Sequence, residues 1–351
     1  QIAFAIFFVA GNLLFLYNLS RFTRVTLLGR PANLPETWGQ RLASLGKFFF
    51  GQRKVMEERS SLHHLAIYWG FLVLTVASTE MLIGGLLGEW FSLGTVFGAA
   101  IHGVIRLAVD VMNAVVFVAL AYALVRRIFI KPDFVPVAID AMLILGGIMT
   151  LVITHYGHHA WAMAARGAVD PMMPVASTLG RLLGIIGGSH DPGWAHVASE
   201  AHWWGHVAVL LAFLNYLPFS KHMHVLGSGP NILLRDQGQR MVMPKLELTR
   251  GHDPEGEALT ENWGAGKIED FTWKSLLDNY ACTECARCTT YCPAFATEKP
   301  LSPMHLIHDL KDEMKSRGIK LVELERLGKQ LGVAVDAPAP AVMEPAEGLP
   351  G

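Results

Sequence analysis

The first 225 residues alternate long apolar runs with shorter polar connections. Five runs are long enough to cross about 30 Å of hydrocarbon as helices, which satisfy their own backbone groups in lipid. They fall at residues 1–19, 62–86, 101–126, 135–156 and 197–218. A shorter apolar run at residues 174–188 contains Arg181 and is predicted to be an interfacial helix between spans four and five. The pattern predicts an all-α membrane domain of five transmembrane helices.

The chain becomes polar after residue 225. Residues 226–269 are glycine-rich and predict a linker, whereas residues 270–335 predict a small second segment with two short helices. The first helix lies in "EDFTWKSLLDNY", and the second begins with Ser302 as N-cap and Pro303 in its first turn. Residues 336–351 are rich in alanine and proline, as in a linker or a truncated end, so we expect the natural chain to continue.

Composition and charge agree with a membrane protein. The chain is 52% hydrophobic and only 17% charged, and its net charge of −1 argues against nucleic acid as a partner. The loop between spans one and two is strongly basic, whereas the loop between spans two and three contains Glu89 and no lysine or arginine. The positive-inside rule therefore places the N-terminus outside and the C-terminus in the cytoplasm.

Histidines form two layers at the ends of the predicted spans. Ionisable residues are costly at membrane depth, which makes these histidines functional candidates, although a single histidine at a helix end is more often a hydrogen-bonded residue. On a continuous helix His206 and His224 would share one face about 27 Å apart, too far for one cofactor. Imidazole is a common axial ligand of haem iron. His64 and His224 are predicted to hold an inner haem b, and His206 an outer one.

The second ligand of the outer haem is left open by the sequence, which offers His102, His155 or His158. Other polar residues share this depth. His102, Arg106 and Asp110 follow at i, i+4 and i+8 along one helix face, which favours an ion pair between Arg106 and Asp110 over proton handling.

Glu80 has no obvious partner on its own helix. Reduction of a quinone consumes protons as well as electrons, and a buried carboxylate could deliver them. Glu80 is therefore the candidate proton relay.

All four cysteines of the chain lie in one short segment with the pattern C-x2-C-x2-C-x3-C-P, at Cys282, Cys285, Cys288 and Cys292. This spacing is the bacterial ferredoxin pattern for a 4Fe–4S cluster, whereas structural zinc sites use two separated pairs. In two-cluster ferredoxins the fourth cysteine ligates the other cluster. Either Cys292 completes a single cluster, or a second motif and a second cluster follow residue 351.

The helical region resembles the gamma subunit of respiratory nitrate reductase, a five-helix dihaem b cytochrome. The resemblance rests on His206, on Pro218 within "PFSKHMH", and on His224, and it implies that both histidines are haem ligands. The two span-two ligands of that family are ten residues apart. This chain has His64 and then Leu74, so the usual partner of the outer haem is missing.

The whole chain resembles the heterodisulfide-reductase-related membrane iron–sulfur oxidoreductases, through this domain and "DFTWKSLLDNYACTECARCTTYCP". Relatives in that group include electron-transfer-flavoprotein:menaquinone oxidoreductases and membrane subunits of sulfite-reduction complexes. The resemblance implies a quinone-linked oxidoreductase of the bacterial or archaeal cytoplasmic membrane, in a complex with a cytoplasmic flavoprotein or reductase subunit. Members of the group usually carry a second cluster motif and CCG domains, which are not in this sequence.

Three readings of the function follow. In the first, electrons from a flavoprotein reach menaquinone. In the second, quinol is oxidised and the electrons serve a cytoplasmic disulfide or sulfur-compound reductase. In the third, the chain is an anchor subunit that only relays electrons for a separate catalytic chain.

Overall fold

The computed structural model describes residues 1–32, 34, 37–58, 61–131, 138–235 and 265–332. The described chain is helical, and the one β-pairing within it is an isolated bridge between Arg30 and Thr272. The chain divides into two compact units. Unit one comprises Gln1–Tyr17 and Phe50–His222, and unit two comprises Asn18–Phe49 and Met223–Gly351.

Four helices of the described chain are long and apolar enough to cross a membrane. They are α1 (Ile2–Thr26), α4 (Leu62–Leu87), α6 (Ala99–Val125, extended by a π-helical turn to Ile130) and α7 (Ile139–Arg166). The shorter helices of this part of the chain are α2 (Trp38–Ser44), α3 (Arg53–Met56) and α5 (Leu93–Phe97). Four of the five predicted spans are thus confirmed as helices of sufficient length and apolar character.

The predicted fifth span falls in α9 (Pro192–Tyr216), which is a long helix but is not one of these four. This helix contains Glu200 and the three histidines His196, His202 and His206, which lower its apolar character. Five spans therefore remain a prediction.

Helix α9 ends at Tyr216, two residues before Pro218, and this overturns the expectation of one continuous helix from His206 to His224. Residues Leu217–Phe219 form a 3-10 turn, Ser220 is extended, and a separate helix α10 begins at Met223 and runs to Leu233. Proline lacks a backbone N–H and cannot continue the hydrogen-bond ladder. Asp140 stabilises the break by accepting hydrogen bonds from the Tyr216 hydroxyl and, at 2.9 Å, from the Lys221 backbone N–H. The premise of the shared face and of the spacing of about 27 Å, one continuous helix, is therefore wrong.

The connection between α7 and α9 contains α8 (Pro174–Leu182), a short helix inside the segment predicted to be interfacial. Asp110 of α6 is fully buried, and its carboxylate accepts from the backbone N–H groups of Val175 at 2.6 Å and Ala176 at 3.0 Å. A carboxylate at a helix N-terminus satisfies free N–H groups and complements the helix dipole.

Arg106 forms an ion pair with Asp170, in the same connection between α7 and α9. The expected intrahelical pair between Arg106 and Asp110 is therefore wrong. Each side chain instead finds a partner more than 60 residues away, and both fasten the α7–α9 connection to α6.

Unit two contains the last part of α1, the helix α2 and all helices from α10 onward. The later ones are α11 (Trp273–Ala281), α12 (Arg287–Thr290), α13 (Pro293–Ala296), α14 (Pro303–Glu313) and α15 (Ile319–Leu331). Their core centres on buried Phe22, Val25, Leu276, Tyr280 and Met314. Helix α10 reaches Leu233, so the region predicted to be a linker begins inside a helix, and residues 236–264 lie outside the described chain.

The two predicted short helices of this unit are confirmed. Thr272 caps α11, and the Ser302 hydroxyl caps α14 by accepting from the His305 N–H. Ahead of α11, Asp270 accepts from Arg30 at 2.8 Å and from the backbone N–H groups of Gly266 and Lys267. Burial pushes the pKa of Asp270 upward, but these hydrogen bonds and the Arg30 charge outweigh it and hold the pKa below its usual value.

Candidate functional site

The cysteine segment is a set of short turns between α11 and α14. Cys282 caps the C-terminal end of α11, Cys288 lies in α12 and Cys292 caps the N-terminus of α13, with Cys285 in the irregular stretch between the first two helices. All four thiols are free; Cys285 and Cys288 are exposed, and Cys282 and Cys292 are half-buried. Four unpaired thiols within eleven residues are a donor set that suits iron.

The backbone turns sharply around Cys285. Glu284 and Ala286 have positive φ angles of 55° and 60°, which residues other than glycine adopt uncommonly and often at functional sites. The turn at Glu284 lets its N–H donate to the Cys282 sulfur at 3.5 Å, while Ala286 is buried. A hydrogen bond to a ligating sulfur is one of the means by which proteins tune iron–sulfur clusters.

The thiols do not converge in this structure. Among the described residues, no three His, Cys, Asp or Glu side chains are arranged so that they could hold a metal ion. Burial raises the pKa of the Cys282 thiol, which favours the protonated form, whereas a metal ligand must be the thiolate. The chemistry of the donor set therefore fits a cluster, and binding one requires the side chains between α11 and α13 to reorganise and lose protons.

Two side chains of α14, Lys311 and His308, lie beside the stretch that contains Cys282 and Glu284. The buried Lys311 donates from Nζ to the Cys282 carbonyl oxygen at 3.3 Å and lies 3.7 Å from the Glu284 carboxylate. His308 is 3.6 Å from the same carboxylate through its Nε2 and 3.3 Å from Asp312 through its Nδ1. Lys311 was not predicted from the sequence. The available signal was its helical spacing from Met304 and Met314, and the structure buries all three side chains.

Helix α10, which carries His224, packs directly on α11, which leads into Cys282. At Gly227 an added Cβ would lie only 3.1 Å from the carbonyl carbon and oxygen of Tyr280 and 3.2 Å from the Ala281 nitrogen. Glycine therefore allows the two backbones to approach closely. The structure thus brings the helix of one predicted haem ligand against the helix that ends at the first predicted cluster ligand.

His64 lies half-buried near the start of α4 in unit one, whereas His224 is half-buried in α10 of unit two. The predicted inner pair thus stays a prediction.

A histidine group of unit one lies where α7 packs along α9. Its members are His155, His158 and His159 of α7 and His202 and His206 of α9. Three of them place Nδ1 against a backbone carbonyl oxygen. His206 contacts Leu151 at 3.1 Å, His158 contacts Ser199 at 3.1 Å and His202 contacts Ala198 at 2.8 Å. A carbonyl only accepts, so Nδ1 carries the proton and Nε2 holds the lone pair, the usual arrangement of a ligating histidine.

His155 is the closest match to His206 among the three histidines left open as partners of the outer haem. Their ring centres are 6.4 Å apart, and the buried Nε2 of His155 has no hydrogen-bond partner among the described residues. Helices α7 and α9 nevertheless touch, because Gly157 lies directly against the His202 ring. A macrocycle does not fit between these two helices in this packing.

Glu80 lies in α4 and has a partner in α6. Its carboxylate is 3.1 Å from His102 Nε2, and it also accepts from the Leu93 N–H at 2.7 Å, at the start of α5. Both side chains are about one-fifth exposed. The pair brings together the candidate proton relay and one of the three candidate second ligands of the outer haem.

Over most of its length the chain is similar to two oxidoreductases, one of which is named as iron–sulfur-binding and the other as quinone-linked. One relative is the probable iron-sulfur-binding oxidoreductase FadF of Bacillus subtilis (strain 168). It is 30% identical over 311 residues, which are 87% of this chain and 41% of that protein. Another is the EtfAB:quinone oxidoreductase of Syntrophomonas wolfei subsp. wolfei, 28% identical over 305 residues, which are 83% of this chain and 40% of that protein.

A probable membrane-anchored ferredoxin of Chromohalobacter salexigens is 49% identical over 47 residues, 13% of this chain and 7% of that protein. The chain spans about two fifths of the length of the two longer-matching relatives. No family model and no solved structure matches the chain. The comparisons support an iron–sulfur oxidoreductase with a link to quinone, and the four apolar helices support a membrane protein. Haem is absent from the three names, so the cytochrome b domain remains a prediction.

Proposed function

We propose that the chain is the membrane-bound electron-transfer part of a quinone-linked oxidoreductase. Cys282, Cys285, Cys288 and Cys292 would hold a 4Fe–4S cluster, and His64 and His224 would hold a haem b. Bound there, these groups supply one-electron transfer between a flavoprotein of the electron-transfer-flavoprotein type and menaquinone. The name of one relative, an EtfAB:quinone oxidoreductase, supports a flavoprotein donor and a quinone acceptor.

The observation that carries the proposal is the contact of α10 with α11 at Gly227. It holds the helix of His224 against the residues that precede Cys282, within one compact unit. Electron transfer between two centres requires that the protein hold them close together, and the glycine-mediated backbone contact would do this for a haem at His224 and a cluster at Cys282. The rest of this unit supplies a buried core around Tyr280 that keeps the two helices in register.

Glu80 and His102 would supply the protons that reduction of the quinone consumes. The carboxylate and the imidazole are within hydrogen-bond reach of each other, so a proton can move between Glu80 and His102 Nε2. Partial exposure of both side chains lets the pair exchange protons with its surroundings. In the proposed topology α9 is the fifth span, the N-terminus is outside, and the cysteine segment is on the cytoplasmic side where a soluble donor can dock.

The test is quinone reduction by the natural full-length protein, purified in detergent and supplied with a reduced electron-transfer flavoprotein and a menaquinone analogue. Cys285→Ser should abolish the rate, whereas His305→Ala, on the exposed side of α14, should leave it unchanged. Quinone reduction that persists in Cys285→Ser refutes the proposal. A wild-type protein that oxidises menaquinol but does not accept electrons from the flavoprotein would reverse the proposed direction.

A further inference from the structure

Lys311 is a buried cation beside the cysteine segment. Only 1% of its surface is exposed, although lysine is almost never fully buried unless it is paired. Its Nζ donates to the main-chain carbonyl of Cys282 at 3.3 Å and lies 3.7 Å from a Glu284 carboxylate oxygen, while the Glu284 N–H donates to the Cys282 sulfur at 3.5 Å. The Lys311 ammonium, the Glu284 carboxylate and the Glu284 N–H therefore all lie beside Cys282, the first cysteine of the motif.

We propose that the positive charge of Lys311 raises the reduction potential of the iron–sulfur cluster held through Cys282. The inference rests on the proposed function. Reduction adds one electron, and hence one negative charge, to a cluster whose protein environment is partly desolvated. A nearby positive charge in low dielectric stabilises the reduced state more than the oxidised state. Burial strengthens this effect, because water does not screen the ammonium group.

Lys311 contacts the main chain of Cys282 and not its thiol. Lys311 touches a backbone oxygen at the end of α11, and its own backbone belongs to α14. The Thr289 hydroxyl of α12 ties that helix to the start of α14 by accepting from the Met304 N–H at 3.2 Å. Lys311 and the Cys282 main chain are therefore held by helices on both sides while the side chains of the segment are free to turn.

The negative charge of Glu284 opposes the effect of Lys311 on the reduction potential, so a Glu284 variant should shift the potential in the opposite direction. Glu284 is 11% exposed in its side chain and carries a negative charge close to the same cysteine. His308 lies near Glu284 and also contacts Asp312, which is on the exposed side of α14. Removal of the Lys311 charge should therefore lower the potential, and removal of the Glu284 charge should raise it.

The experiment is a redox titration of the full-length protein with its cluster, with dithionite as reductant and the EPR signal of the reduced cluster as readout. In Lys311→Met the ratio of reduced to oxidised cluster at a fixed potential should fall at least tenfold, which corresponds to about 59 mV for a one-electron couple. Lys311→Arg keeps the charge and should stay within threefold of the wild type.

The matched control is Lys274→Met. Lys274 is also buried in unit two and paired with a carboxylate, Asp278 at 2.5 Å, but it contacts no cysteine, so its loss should leave the ratio within threefold. If Lys311→Met and Lys274→Met show the same ratio of reduced to oxidised cluster at the same potential, the proposal is overturned. If Lys311→Met fails to load a cluster, Glu284→Gln decides, because the proposal requires its ratio to rise. Absence of any cluster signal in the wild type would instead overturn the proposed function.

Discussion

Replacement of Gly227 by alanine tests the contact between α10 and α11. The added Cβ would lie 3.1 Å from two backbone atoms of Tyr280, which cannot turn aside as a flexible side chain can. Overpacking of this kind costs about 1–3 kcal/mol, whereas replacing a glycine by alanine inside a helix gains about 0.5–1 kcal/mol. The overpacking cost should exceed the helix gain, so Gly227→Ala should destabilise unit two.

Gly229→Ala is the matched control, because it lies in the same helix and meets only the side chain of Phe49 at an ordinary 3.5 Å. The helix gain is common to both variants, so the difference between them isolates the cost of overpacking. At about 4–8 °C per kcal/mol for a domain of 60–100 residues, the midpoints of thermal unfolding in detergent should differ by at least about 4 °C. A Gly227→Ala protein that melts at or above Gly229→Ala would refute the close-contact argument.

Further predictions concern single residues. Cys285→Ser should remove the reduced-cluster EPR signal and leave any b-type haem absorption in place, whereas His224→Ala should abolish one b-type haem signal; an unchanged haem spectrum contradicts that ligand assignment. Asp110→Ala leaves two N–H groups of α8 without an acceptor, which costs about 1–3 kcal/mol each if they stay buried, and should speed proteolytic cleavage near α8. Because its folded pKa is lowered, Asp270 stabilises the fold at neutral pH and loses that contribution as the pH falls through the lowered value. Asp270→Asn should weaken the acid dependence of unfolding, and an unaltered acid midpoint would show that Arg30 does not act through this carboxylate.

Short-range signals in the sequence predicted the local elements of unit two. Ser302 and Pro303 mark the start of α14 because a cap acts within one helical turn. The cysteine spacing predicts a 4Fe–4S cluster in the same local way, because this motif brings ligands for one small cluster within a few residues of each other. Apolar runs predicted α1, α4, α6 and α7, since hydrocarbon thickness sets a minimum helix length.

Partners far apart in sequence were not predictable in this way. Arg106 and Asp110 are four residues apart and of opposite charge, so a local pair was the natural expectation, yet both bind to the connection beyond α7. The same holds for the Nδ1 contacts of His158 and His206, whose acceptors lie on another helix. Pro218 is a local signal that the helix ends between His206 and His224, because a proline cannot continue the helical hydrogen bonds.

The carboxylate that caps α8 comes from another helix, and this has a consequence for the order of assembly. A nine-residue helix is too short to persist alone in water, and α8 has no side-chain cap of its own. Its N-terminal N–H groups gain an acceptor only after α6 and α7 have come together around Asp110, whose backbone carbonyl accepts from the Tyr156 hydroxyl at 2.6 Å. We therefore expect helix α8 to form late, with the connection between α7 and α9 becoming ordered once the helices on which it rests are in place.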